Sequence, residues 1–99
     1  MYQKNALSQL DQIAAHAPTA MQAFIAFDQA ALAAGALDVK TKELIALAVA
    51  HTTQCIYCID LHNTNARKNG ATDAEIAEVI LVAAALRAGG AVAHGTHCF

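Results

Sequence analysis

The chain has 99 residues, of which 57% are apolar, and its six basic and eight acidic side chains give a formal net charge of −2. Because it has no cluster of lysine or arginine, the sequence offers no electrostatic surface for nucleic acid. A chain this short fits one domain, over residues 1–99, and often needs disulfides, metals or partner subunits for stability.

The sequence predicts helices throughout, because apolar residues recur at helical spacing and nowhere alternate over the length of a strand. Leu7, Leu10 and Ala14 form the apolar stripe of a first helix, which ends before Pro18. Proline is tolerated in the first turn of a helix, so Pro18 begins a second helix, and Gly35 ends it. The expected fold is all-α, a compact bundle of about five to six helices.

A third helix is predicted from the capping residue Asp38 to about His51. Within it, Glu43 and Leu47 share one face, since they are four residues apart. A short turn at residues 52–54 follows, which allows the next helix to fold back on the third.

A fourth, central helix is predicted over residues 55–68, because Asn69-Gly70 supplies the left-handed stop that commonly follows a last turn. Cys55 would then lie in its first turn. A fifth helix begins at Asp73, after a capping box in which Thr72 and Glu75 each accept from the other's backbone N–H.

The fifth helix is apolar on every side over residues 79–86, which implies burial on two faces, one of them against another subunit. We therefore predict a homo-oligomer. Gly89-Gly90 is expected to break this helix before a short tail. The longest apolar runs, residues 44–50 and 79–86, are far shorter than the roughly 20 residues that span a bilayer. Residues 1–10 lack the apolar segment of a signal peptide, so we expect a cytoplasmic protein without a membrane partner.

The cysteines point to redox chemistry. Three cysteines are too few for the disulfide framework of a secreted protein, and in a reducing compartment a Cys-x-x-Cys pair is more often catalytic or metal-binding. Cys55 and Cys58 lie close enough on a helix to form and break a disulfide. His62 follows Cys58 by four residues on the same stripe, which places a base beside the thiols. The helix N-terminus and a neighbouring imidazolium both favour the reactive thiolate.

Glu43 is the fourth member of the predicted site. Its carboxylate can face His62 once the third and fourth helices fold back on each other. A carboxylate behind an imidazole orients the ring and fixes its tautomer, so that His62 can take a proton from a thiol. We therefore predict Glu43, Cys55, Cys58 and His62 as the catalytic residues, without a bound organic cofactor or a metal.

The spacing is Glu, eleven residues, Cys-x-x-Cys, three residues and His. It resembles the pattern of the AhpD-like alkylhydroperoxidase family, within the carboxymuconolactone decarboxylase superfamily. The likeness extends over most of the chain, from LDVKTKELIALAVA through CIYCIDLH and a Gly-Ala-Thr turn to the Gly-Gly before the tail. The resemblance implies a helical enzyme that assembles as trimers or hexamers.

The resemblance also implies the roles of the two sulfurs: the second cysteine, Cys58, is oxidised to sulfenic acid, and the first, Cys55, resolves it. Position alone leaves the order open, because Cys55 is nearer the helix start and Cys58 nearer the base. The implied activity is that of a thiol-dependent peroxidase, or of a disulfide oxidoreductase that reduces a partner peroxiredoxin. An external dithiol or reductase then restores the thiols. The chain departs from the family at Tyr57, where a second histidine is typical, so its proton relay differs.

Other interpretations of the same residues remain open at this point. Cys55 and Cys58 would be buried structural thiols, or zinc ligands together with His62, although three donors on one helix face suit a tetrahedron poorly. The decarboxylase branch of the superfamily acts on a lactone carboxylate without a cysteine pair. A thioredoxin-like module needs a strand before the cysteines, and none is predicted. A fourth zinc ligand would come from Glu43, His94, His97 or Cys98, and the last three are otherwise tail residues.

Overall fold

A computed structural model describes residues 9–99 of the chain. These residues form five α-helices and no strand, which confirms the all-α prediction. Leu7, placed in the first predicted helix, lies outside the described residues. The helices are α1 (Leu10–His16), α2 (Pro18–Leu32), α3 (Val39–Thr53), α4 (Ile56–Lys68) and α5 (Asp73–Gly95), followed by a short 3-10 turn at Thr96–Cys98.

The core lies where α3 packs against both α4 and α5. Leu47 of α3 is the largest fully buried side chain among the described residues, with 1% of its surface exposed. The α1 and α2 helices pack mainly on each other, and α2 reaches α3 through a small contact. The predicted site residues lie on α3 and α4, and this core holds the two helices against each other and against α5. The apolar residues buried in this core are Leu47, Ala50, Ala66, Ile76 and Ala83.

The predicted helix caps are present. The Asp38 carboxylate accepts from the Thr41 backbone N–H at 2.8 Å, and hydrogen bonding from the Thr41 side chain, together with this bond, lowers the pKa of Asp38. At the start of α5, the Thr72 hydroxyl accepts from the Glu75 N–H at 3.2 Å, and the Glu75 carboxylate accepts from the Thr72 N–H at 2.8 Å. A bond from Lys40, with the one from the Thr72 N–H, lowers the pKa of Glu75.

Two helix ends differ slightly from prediction. Helix α2 ends at Leu32 rather than at Gly35, and the Lys42 ammonium donates to the carbonyls of Ala31 and Ala33 at 2.9 and 2.6 Å. A cation from α3 thus satisfies carbonyls that a helix end leaves without intrahelical partners. Helix α3 runs two residues beyond His51, to Thr53.

The predicted break at Gly89-Gly90 is wrong, because α5 continues through both glycines to Gly95. Each glycine costs about 1 kcal/mol relative to alanine in a helix interior, which weakens a helix without forbidding it. Within the continuous helical stretch Asp73–Cys98, an 18-residue window has a mean hydropathy of 1.8, enough to cross a membrane by length and composition alone. Counting uninterrupted apolar runs missed this property, since Arg87 and the glycines divide the run.

Candidate active site

The cysteine pair lies at the start of α4. Cys55 is the N-cap residue, one position before the first turn in which it was expected, and its Sγ accepts from the Cys58 backbone N–H at 3.3 Å. Cys55 and Cys58 are joined as a disulfide, with their Cα atoms 5.3 Å apart. Both side chains are half-buried, so the pair is partly open to solvent. The structure therefore shows the oxidised state of a dithiol at a helix N-terminus.

A tight reversal between α3 and α4 places this pair. Gln54 adopts the left-handed conformation with φ 58°, the one non-glycine residue with positive φ in residues 9–99. The Ala50 carbonyl then accepts from the backbone N–H groups of both Gln54 and Cys55, the latter at 3.0 Å. One residue thus ends α3 and directs α4 back along it.

This reversal brings Glu43 and His62 together, although they lie 19 residues apart in sequence. His62 Nδ1 donates to Glu43 Oε2 at 2.6 Å, since the carboxylate accepts. The two side chains are 14% and 7% exposed, so the pair lies largely out of water. Because Nδ1 carries the proton in this bond, the neutral ring keeps Nε2 free to accept another.

The four predicted residues thus form two pairs. A disulfide joins Cys55 to Cys58 at the start of α4, and a hydrogen bond joins Glu43 of α3 to His62 of α4. Cys58 and His62 are four residues apart on α4, a spacing that puts the two Cβ atoms about 5–6 Å apart on one face. The Cys58 thiol can therefore give its proton to the His62 imidazole, while the Glu43 carboxylate of α3 keeps that ring oriented. The arrangement suits thiolate formation and dithiol–disulfide exchange.

The zinc interpretation lacks an assembled ligand set. Within residues 9–99, no group of three or more His, Cys, Asp or Glu side chains converges on a point where a metal could bind. At the end of α5, His94 and His97 lie with ring centroids 5.4 Å apart, and Cys98 is an exposed free thiol. The structure does not bring these tail residues to the cysteine pair.

Sequence reasoning missed Arg87, which lies on α5. Its Nη1 donates to the Thr52 carbonyl, at the end of α3 and three residues before Cys55. The two residues are 35 apart in sequence, and no local pattern links them. His51 Nδ1 donates to the Leu47 carbonyl at 2.8 Å, as expected for a histidine in a last helical turn.

The fold and this site define a small all-α protein with a dithiol centre supported by a Glu–His pair. Comparison with known families gives the narrower assignment. The family model described as the Carboxymuconolactone decarboxylase family matches residues 18–98, and the chain belongs to this family. The resemblance to the AhpD-like proteins is thereby confirmed at the level of the superfamily.

The chain is similar to uncharacterized protein 4 in the cox locus of Paracoccus denitrificans, with 56% identity over 73% of this chain and 65% of that protein. It is 38% identical to an uncharacterized protein of Cupriavidus necator over 66% of this chain and 58% of that protein. The matches thus span less than two thirds of these relatives. A crystal structure of a carboxymuconolactone decarboxylase family protein from Legionella pneumophila superposes with a TM-score of 0.78, at 40% identity, over 84% of this chain and 74% of that one.

Proposed function

We propose that the protein is a thiol-dependent peroxidase and dithiol–disulfide oxidoreductase of the AhpD type. The observation that carries the proposal is the buried pair in which Glu43 of α3 holds His62, a residue of the α4 helix that begins at the Cys55–Cys58 disulfide. A structural disulfide has no need of a base held out of water beside it. Proton transfer from a thiol does need one, because the thiolate is the nucleophile.

In the first step, His62 accepts the proton of Cys58, and Glu43 stabilises the resulting imidazolium. The Cys58 thiolate attacks the distal oxygen of a hydroperoxide ROOH. The O–O bond breaks, the alkoxide leaves and takes up a proton as ROH, and Cys58 becomes a sulfenic acid.

In the second step, the Cys55 thiolate attacks the sulfur of the Cys58 sulfenic acid. The S–O bond breaks, the hydroxide leaves as water after taking up a proton, and the disulfide forms. An external dithiol or reductase then returns two electrons and two protons to the pair. The residues need no bound organic cofactor for this cycle.

The two sulfurs are assigned by their different neighbours. Cys58 shares a helix face with His62 at a spacing of four residues, so we assign it the attacking role. The Cys55 sulfur accepts the backbone N–H of Cys58, a bond that also stabilises a thiolate. Cys55 is thus suited to be the thiolate that attacks the Cys58 sulfenic acid in the second step.

Oxidation of the reduced protein by one equivalent of hydroperoxide tests this function. Intact mass should show the loss of two hydrogens, and peptide mapping should place the disulfide between Cys55 and Cys58. In Cys55→Ser, a sulfenic acid should accumulate on Cys58 and react with a sulfenate trap. Cys98→Ser is the matched control and should react like the parent. Oxidation no faster than that of a free thiol, or mainly on Cys98, would show that the protein is not a peroxidase.

The same dithiol can reduce the disulfide of a partner peroxiredoxin instead of a peroxide. Transfer of electrons from the reduced protein to an oxidised peroxiredoxin, faster than its own oxidation by peroxide, would identify this use. Turnover of a lactone carboxylate by a variant lacking both Cys55 and Cys58 would instead assign the protein to the decarboxylase branch.

We further propose that the protein works as a homo-oligomer in the cytoplasm, where reductants sustain a dithiol cycle. Its radius of gyration of 16.2 Å exceeds the roughly 13 Å of a compact chain of this length, which suits a subunit that packs on neighbours. The α5 helix exposes large side chains such as Leu81 and Leu86, each 67% accessible. A second copy is the occupant that buries such a surface without other components, and the family resemblance favours trimers or hexamers.

Light scattering coupled to size-exclusion chromatography tests this assembly. The parent should elute as a trimer or hexamer, and the double variant Leu81→Gln, Leu86→Gln should dissociate toward monomers. A parent that is monomeric at micromolar concentration, or that sediments with phosphatidylcholine vesicles through α5, would contradict the proposal.

A further inference from the structure

A small cavity lies between the end of α3 and the middle of α5. Its volume is about 210 Å³, and it is open on one side. Its lining combines apolar side chains with three polar ones. The cavity is lined by Ile80, Ala83, Ala84 and Arg87 of α5, His51 of α3, and Gln54 of the reversal.

The α5 residues of the cavity recur at i, i+3, i+4 and i+7, the spacing of one helix face. Ile80 and the two alanines provide a hydrocarbon surface that ends at Arg87. His51 uses its Nδ1 on the Leu47 carbonyl, which leaves Nε2 as its remaining polar atom. The cavity thus has the composition of a ligand site, apolar with a few polar groups.

Among residues 9–99, no carboxylate pairs with the charge of Arg87. Within the described residues, Arg67 pairs with Asp73 and Lys40 pairs with Glu75, but Arg87 forms no ion pair. Its recorded hydrogen bond is the single donation from Nη1 to the Thr52 carbonyl. A guanidinium has five N–H donors in a planar fork that matches a carboxylate, so most of its binding capacity is unused.

The cavity adjoins the redox pair. Gln54, which lines it, directly precedes Cys55, and consecutive Cα atoms are about 3.8 Å apart. Arg87 is also bonded to the segment that carries the pair, at Thr52. The end of the cavity that holds Arg87 and Gln54 therefore lies against the segment that leads into α4, where Cys55 and Cys58 lie.

We propose that this cavity holds the body of an acidic organic hydroperoxide, with its carboxylate on Arg87, its hydrocarbon on the apolar face of α5 and its hydroperoxide group toward Gln54, the residue before Cys55. The proposal rests on the peroxidase function above and names its substrate class. The volume lies below the roughly 300–1,000 Å³ of pockets for drug-sized ligands, which fits a short carboxylic acid rather than a long lipid. The chemistry stays that of the Cys58 attack, in which ROOH is reduced to the hydroxy acid.

The experiment compares a short hydroperoxy acid with its methyl ester, which has the same body without the charge. The parent should oxidise its dithiol faster with the acid, by about tenfold in kcat/KM, as expected of a charge-assisted pair in a partly enclosed site. In Arg87→Gln this ratio should fall to about one, and Arg87→Lys should restore part of it. Arg67→Gln, which changes the net charge equally but lies in the Asp73 ion pair, should keep the parent ratio.

The ratio of kcat/KM for the acid to that for the ester separates substrate binding from structural damage. A distorted α3–α4 turn would lower the rates with both compounds equally and leave their ratio unchanged. Calorimetry with the hydroxy acid adds a readout that needs no turnover: it should bind the oxidised parent and lose at least tenfold in affinity in Arg87→Gln. Equal rates for acid and ester in the parent, or a ratio unchanged in Arg87→Gln, would overturn the substrate assignment while leaving the peroxidase intact. If neither compound oxidises the dithiol, the peroxidase function fails, and calorimetry alone decides whether the cavity binds carboxylates.

Discussion

The interface between α3 and α4 buries a charged group, whereas α5 exposes large apolar side chains. The α3–α4 pair buries a carboxylate, Glu43, where an aliphatic side chain would pack more simply. The α5 helix leaves side chains such as Leu81, Leu86 and Val92 exposed, where charged residues would favour solubility. A buried charge is costly unless it is paired, and an exposed apolar face is costly unless it is covered. This contrast is the reason why we propose chemistry for the first region and contact with a second copy for the second.

The largest expected effect comes from removing the base. His62→Ala should slow oxidation of the dithiol by hydroperoxide by about 10²- to 10⁴-fold, the usual contribution of a general base. Stopped-flow measurement of thiol loss gives the rate. His16→Ala, on the exposed end of α1, is the matched control and should match the parent. A rate in His62→Ala within threefold of the parent would remove His62 from the mechanism.

The carboxylate behind the imidazole should have a smaller effect on rate. Glu43→Gln keeps a group that can bond to His62 but loses the charge that stabilises the imidazolium, and we expect a loss of about tenfold or more in rate. The rate of the folded variant distinguishes this role from a structural one, because a carboxylate that only held the fold together would leave that rate unchanged. A variant that lost stability and kept the parent's rate would show Glu43 to be structural.

A matched pair of leucines compares the two regions directly. Leu47→Ala in the core should lower the free energy of unfolding by about 2–5 kcal/mol, since Leu47 is 1% exposed. Leu81→Ala should change the unfolding free energy of a dissociated chain by less than about 0.5 kcal/mol, as for other exposed sites. Chemical denaturation at low protein concentration gives both values, and at high concentration the Leu81 variant should show weaker association. Equal losses at low concentration would mean that the Leu81 side chain packs within its own chain.

The helix caps have smaller effects. Asp38→Ala and Thr72→Ala should each lower the free energy of unfolding by about 1 kcal/mol, because each removes the acceptor of a first-turn N–H. Thr64→Ala, at an exposed position within α4, is the control. Thermal unfolding measures all three variants, and a cap variant no less stable than Thr64→Ala would contradict the capping role.

Acid should remove the contribution of these caps. The folded pKa values of Asp38 and Glu75 lie below their ordinary values of 3.8 and 4.5. Their stabilisation is therefore complete above those ordinary values and is lost as the pH falls through the lowered folded values. Unfolding curves at pH 6 and near pH 3 should show a smaller acid loss in Asp38→Asn and Glu75→Gln than in the parent. Equal acid losses in parent and variants would show that other carboxyl groups cause the sensitivity.

Local features of the fold were predictable from the sequence, and distant contacts were not. The caps at Asp38 and Thr72 and the stop at Gly70 follow from residues a few positions apart, so the sequence indicates them directly. The low helix propensity of glycine led to the wrong prediction that α5 breaks at Gly89-Gly90. Strong helix formers on both sides keep these two positions helical. The four candidate residues could be selected because their spacing is regular, and their catalytic roles stay a prediction. The contact of Arg87 with Thr52 joins segments 35 residues apart, and no spacing rule indicates it.

The sulfur of Cys55 has a second role besides its bond to Cys58, since it is also the cap of α4. A thiolate accepts an N–H more strongly than a disulfide sulfur does, so this cap strengthens when the pair is reduced. Folding of the first turn of α4 and reduction of the pair are therefore thermodynamically linked. Each favours the other by the same free energy, and the linkage raises the reduction potential of the pair above that of an unstructured Cys-x-x-Cys peptide.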